Sequence, residues 1–69
     1  MSPNEAFDYV LNKYQISADD IAEKSGIDKS AISKFRNGHH EMRSNNLQKL
    51  IRALPPEART HFNMLFSFA

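Results

Sequence analysis

Cysteine is absent from the 69 residues. That excludes disulfides and thiolate metal sites, and it fits a reducing compartment. No apolar run exceeds three residues, as in Met64-Leu65-Phe66, against the ~20 needed to span a bilayer. No charged-then-apolar leader opens the chain, so no signal peptide is expected. No window alternates at period two for long enough to form a strand. A Gly-rich phosphate loop, a nucleophile beside a base at motif spacing and a metal-ligand cluster are all missing. The expectation is a cytoplasmic protein with no enzymatic activity, no cofactor, no metal and no membrane partner. A chain this short buries only about 60% of its unfolded surface, so it is read as one domain over residues 1–69, folding unaided or as an oligomer.

Helix punctuation, by contrast, is plentiful. Ser2-Pro3-Asn4-Glu5 reads as a capping box with proline at the first helical position. Ala6, Phe7, Val10, Leu11 and Tyr14 follow at three-and-four spacing, which predicts an amphipathic helix over about 3–14. Ser17 is the next N-cap, with Asp19 and Asp20 in the first turn, where the helix dipole favours acids. Ile16 and Ile21 form a hydrophobic staple, and Gly26 supplies a left-handed stop. Asp28 caps a third helix with Ala31, Ile32 and Phe35 on one face and Gly38 at its end. Only Gly26, Ile27 and Asp28 separate the second and third helices, a spacing that forces a sharp corner. His39 to Arg43 is a polar loop. Ser44 is expected to cap a fourth helix carrying Leu47, Leu50, Ile51 and Leu54. Pro55-Pro56 ends that helix and opens a fifth, with Ala58, Phe62, Leu65 and Phe66 on one stripe. The fold class is all-α, five helices.

Net charge is only +1, but the two signs are unevenly placed. Residues 1–28 carry six acids against Lys13 and Lys24; residues 29–69 carry seven bases against Glu41 and Glu57. Such asymmetry is the footprint of a polyanion binder, though a solvated surface of mixed sign is at least as common.

The stretch Ile16 to Gly38, ISADDIAEKSGIDKSAISKFRNG, resembles the helix-turn-helix of the phage lambda repressor and Cro family. Ala22 stands where the two helices cross and Gly26 at the corner. Ile21, Ile32 and Phe35 match the family's core positions, and Arg36-Asn37-Gly38 is similar to its usual ending. The resemblance implies a compact five-helix domain, with the helix-turn-helix at about 17–37, that binds double-stranded DNA as a transcriptional regulator of Cro-like repressor type, nucleoid-associated. It implies that Lys29, Ser30, Ser33 and Lys34 read bases. It carries phosphate contacts onto Ser17, Ala18 and Asn37, with Arg43 and Asn45 beside the backbone. His39, His40 and Ser44 lie in the same region. Many relatives place glutamine where Ala18 stands; that side chain touches phosphate and braces the first reader, so the brace is expected to be lost. Asp19 and Asp20 add negative charge near the expected DNA edge.

Each residue also has an ordinary structural explanation. Isolated lysines on a helix are usually solubilising; in the second helix of a helix-turn-helix, DNA contact is favoured. Adjacent His39-His40 with Glu41 lacks a third convergent ligand, so a solvated loop outweighs a metal site. Asp19 and Asp20 fit cap and dipole roles better than a catalytic pair. The C-terminal stripe of Phe62, Leu65, Phe66 and Phe68 exceeds what one side of so small a bundle needs. It is read as a homodimer interface in preference to core alone. The rival function is an antitoxin-like or adaptor module that uses the same fold to bind a protein partner.

Overall fold

The computed structural model describes residues 2–39 and 42–67. Five helices follow one another: α1 (Pro3–Lys13), α2 (Ala18–Ser25), α3 (Lys29–Arg36), α4 (Ser44–Ala53) and α5 (Pro56–Ser67). The described residues contain no strand.

The helix ends explain the boundaries. At α1, Glu5 Oε1 accepts from the Ser2 amide at 3.3 Å and from the Ser2 hydroxyl at 2.6 Å, closing the capping box. These hydrogen bonds hold the Glu5 carboxyl below the usual glutamate range, the side-chain bond contributing most. The C-terminus of α1 closes by a Schellman pattern. Gln15 N–H donates to Asn12 O at 3.3 Å and Ile16 N–H to Leu11 O at 2.9 Å. Gln15 holds the left-handed position at φ 53°, where glycine is usual; nothing in its residue type announced this.

Ser17 caps α2, its hydroxyl accepting from the amides of Asp19 (3.0 Å) and Asp20 (3.4 Å). Gly26 ends α2 at φ 75°, as its position predicts. Gly38 ends α3 at φ 76° in a second Schellman motif. There Gly38 N–H donates to Phe35 O at 3.1 Å and His39 N–H to Lys34 O at 3.0 Å.

Two caps differ from expectation. Asp28 occupies the N-cap position of α3, but its carboxylate makes no cap bond and accepts instead from the Ser30 hydroxyl. Ser44 is the first residue of α4, and Arg43 holds the N-cap position without a side-chain cap. At the far end of α4, Leu54 is extended (φ −72°, ψ 145°), the conformation a following proline imposes. The carbonyls of Arg52 and Leu54 are taken by Arg59 Nη2 at 3.1 and 3.2 Å.

One core joins all five helices: Phe7, Val10 and Leu11 from α1, Ile21 from α2, Ile32 and Phe35 from α3, Leu50 from α4, and Ala58 and Phe62 from α5, with Leu54 at the α4 boundary. Each large apolar side chain buried in this way stabilises by about 1.5–3 kcal/mol relative to exposure. Phe7 is the hub. Its ring lies 5.7 Å from Phe35 and 6.3 Å, edge-on, from Phe62. Phe62 is fully buried, which corrects its assignment to a dimer surface: within one chain it already fills the space between α1 and α5. Leu65 is half-buried against the same core. Phe68, and the side chain of Phe66, lie outside the described residues.

Candidate nucleic-acid interface

The helix pair α2–α3 is where residue pattern and geometry meet. The three-residue turn reverses the chain because Gly26 takes a left-handed φ at the end of α2. The Ile27 amide then bonds the Ser25 hydroxyl at 3.1 Å. Ile21, Ile32 and Phe35 point into the core. What α3 leaves outside is Lys29, Ser30, Ser33 and Lys34, all exposed. The nominated base readers therefore share one solvent-facing surface. Lys29 and Lys34 stand five residues apart on the helix, roughly 140° around its axis, and flank the two serines.

Their surroundings differ. Lys29 Nζ lies 2.8 Å from Asp19 Oδ1 across the turn, whereas Lys34 has no ion pair among the described residues. The Ser30 hydroxyl donates to Asp28, which leaves its lone pairs as acceptors. Ser33 is exposed, and its hydroxyl has no hydrogen-bond partner among the described residues.

The nominated phosphate contacts spread over three helix ends. Ser17 is exposed, but its hydroxyl already serves the α2 cap. Ala18 is half-buried against the core, so its backbone amide is the group it can offer. Asn37 is exposed as the C-cap residue of α3, and Arg43 is exposed at the N-cap of α4. Asn45 is exposed on the first turn of α4, its Oδ1 accepting from the Asn46 amide at 2.9 Å. His39 is exposed and Ser44 opens α4; His40 and Glu41 lie outside the described residues. Among the described residues no group of three or more histidine, cysteine, aspartate or glutamate side chains could hold a metal.

Arg36 turns back onto α1. Its Nε donates to Asp8 Oδ1 at 2.9 Å, and Nη2 lies 2.8 Å from the same oxygen and 3.4 Å from Asn12 Oδ1. Asn12 Nδ2 in turn donates to Asp8 Oδ2 at 3.3 Å. Asp8 and Asn12 lie four residues apart on one face of α1 and form a ready acceptor pair. That spacing was legible in the residues, but its partner, 28 positions away, was not. The Asp19–Lys29 pair was missed for the same reason.

This arrangement, a capped helix, a glycine corner and a second helix with its polar side bare, defines a helix-turn-helix DNA-binding module. A helix-turn-helix family model matches residues 9–55, more than half of the chain. The chain belongs to the lambda repressor/Cro-like helix-turn-helix family, a family of DNA-binding transcriptional regulators. Neither the curated proteins nor the solved structures gave a match. Among the described residues no helix is long and apolar enough to cross a membrane.

Proposed function

We propose that the chain, acting as one domain, is a transcriptional repressor of Cro type that binds a palindromic operator as a homodimer. The observation that carries this reading is the bare face of α3. Lys29, Ser30, Ser33 and Lys34 are solvent-exposed on the second helix of the motif, whereas its apolar residues are spent on the core. Lysine donates to the major-groove acceptors of guanine, and serine hydroxyls accept or donate to either base of a pair. Ser17 and Ala18 at the start of α2, with Asn37, Arg43 and Asn45, are the phosphate contacts that fix the docking register.

The two-fold assembly rests on apolar surface along α1 and α5. Tyr9 (40% exposed) and Met64 (56%) are the large hydrophobic side chains left open among the described residues. Leu65 follows Met64 in sequence, with Phe66 and Phe68 next along the chain. One recognition helix reads too few base pairs to be selective alone. Two copies with recognition helices ~34 Å apart meet successive major grooves on one side of the duplex.

Selection of bound sequences from random duplex DNA, with sedimentation of the free protein, tests the proposal. An inverted repeat with half-site centres about one helical turn apart is the expected product. Inserting five base pairs between the half-sites then abolishes cooperative binding. Tight binding to a single half-site that is indifferent to the insertion contradicts the homodimer. A stable complex with a different protein and no sequence-selective DNA binding supports the adaptor function instead.

A further inference from the structure

Building on the DNA-reading role of α3, we infer that Asp19 is a specificity-determining positioning residue. It holds Lys29 on a base edge and keeps it from acting as a phosphate clamp. Lys29 Nζ sits 2.8 Å from Asp19 Oδ1, with both side chains largely exposed (63% and 72%). The Asp19 backbone is fixed by the α2 cap, where its amide donates to the Ser17 hydroxyl at 3.0 Å. The tether therefore runs from a capped backbone, through a short side chain, to the lysine.

Two physical consequences follow. A free lysine head samples many rotamers, and ordering it on a base opposes binding; one already held by a carboxylate has fewer states to lose. An ammonium also has three donors. One is on Asp19, which leaves two for the paired acceptors of guanine in the major groove. Charge points the same way. The Lys29–Asp19 pair is close to neutral as a unit, so it gains little from the phosphate backbone, and the carboxylate repels a phosphate that comes near. Lys34, with no ion pair among the described residues, is the lysine suited to releasing counterions.

Asp20 provides the internal control. It carries the same charge in the same first turn of α2, and its amide is also bonded to Ser17 (3.4 Å), yet it makes no ion pair among the described residues. Removing either carboxylate takes one negative charge from the DNA side of α2. Only Asp19 touches the reader.

The test measures affinity for the selected duplex, its single-base variants and non-specific DNA, with thermal melts to confirm folding. Asp19→Asn and Asp20→Asn should both bind non-specific DNA more tightly. Asp19→Asn alone should lose about 2- to 5-fold of discrimination, at the same base pair whose preference Lys29→Ala relaxes. Asp19→Glu should restore that discrimination, and Asp19→Asn should leave that preference unmoved in a Lys29→Ala background. Unchanged base preference in both Asn variants, or the same change in the absence of Lys29, overturns the inference while leaving the DNA-reading role standing. Wild-type protein that binds all duplexes alike overturns that role and this inference together.

Discussion

The two ends of α3 are held by different kinds of contact. At the C-terminal end, Phe35 is buried against Phe7, Arg36 is bonded to Asp8 and Asn12 of α1, and Gly38 completes a Schellman motif. At the N-terminal end, Lys29 is held by one exposed ion pair and Ser30 by a bond to its own N-cap residue. Burial and charge-assisted hydrogen bonds fix one end. An exposed ion pair contributes at most ~1 kcal/mol. The difference separates two duties: the anchored end sets where the helix lies, and the open end keeps its side chains available to a ligand. Changes at the anchored end should therefore cost stability, and changes at the open end should alter recognition alone.

The largest expected effect is at the anchor. Phe35→Ala should cost about 3–5 kcal/mol, much of what so small a domain holds. Chemical denaturation should show a largely unfolded variant; a near-wild-type midpoint would mean that Phe35 does not anchor the helix. The glycines come next. Gly26→Val and Gly38→Val each force a side chain into a left-handed backbone, at about 1–2 kcal/mol. At Gly38 a Cβ would also stand 3.2 Å from Asn4 Nδ2, whereas at Gly26 it meets nothing within 4 Å. Gly38→Val should therefore melt lower than Gly26→Val, and the reverse order would mean that the Asn4 contact costs nothing.

Arg36→Gln should cost about 1 kcal/mol and leave the salt dependence of DNA binding unchanged, because the guanidinium is committed to Asp8. A fall in the salt slope would place Arg36 on the DNA face. Lys34→Ala should do the opposite. Its stability should stay within about 0.5 kcal/mol of wild type, while the salt slope falls by about one; a stability loss without a slope change would refute its place on the exposed, DNA-facing side of α3.

The smallest effect lies at the start of α1, on which the anchor rests. Glu5 ionises more readily when folded, through the Ser2 bonds. Its contribution is complete above the ordinary glutamate range and is lost as pH falls through the lowered folded value. Ser2→Ala should raise the Glu5 pKa toward the ordinary range and flatten the acid limb of the stability profile. NMR titration of the Glu5 carboxyl checks this; an unmoved pKa would mean that the Ser2 bonds do not hold it.

Much of this was legible in the residues, because short helices are written in their ends. Ser2, Ser17, Gly26, Gly38 and Pro56 marked boundaries that are local, set by contacts within five positions. The core face was legible too, since three-and-four spacing fixes which side of each helix is apolar. Three kinds of feature were not. Gln15 takes a left-handed turn that its residue type does not favour. The pairs Arg36–Asp8 and Lys29–Asp19 depend on where other helices come to lie, and identical residues elsewhere would be solvated. Phe62 reads as surplus apolar bulk until α1 is seen to cover it. The brace expected to be missing at Ala18 is matched by an ion pair one residue later, at Asp19.

The proposed reading of DNA by the bare side of α3 underlies every recognition effect above. Equilibrium binding of a selected duplex by wild-type protein and by the Lys29→Ala, Lys34→Ala double variant, over a range of salt, tests it most directly. The expected result is a folded double variant that loses sequence-selective affinity, with each base-contacting lysine worth about 1–3 kcal/mol. A double variant that melts like wild type and still binds the selected duplex with undiminished affinity and preference would contradict it.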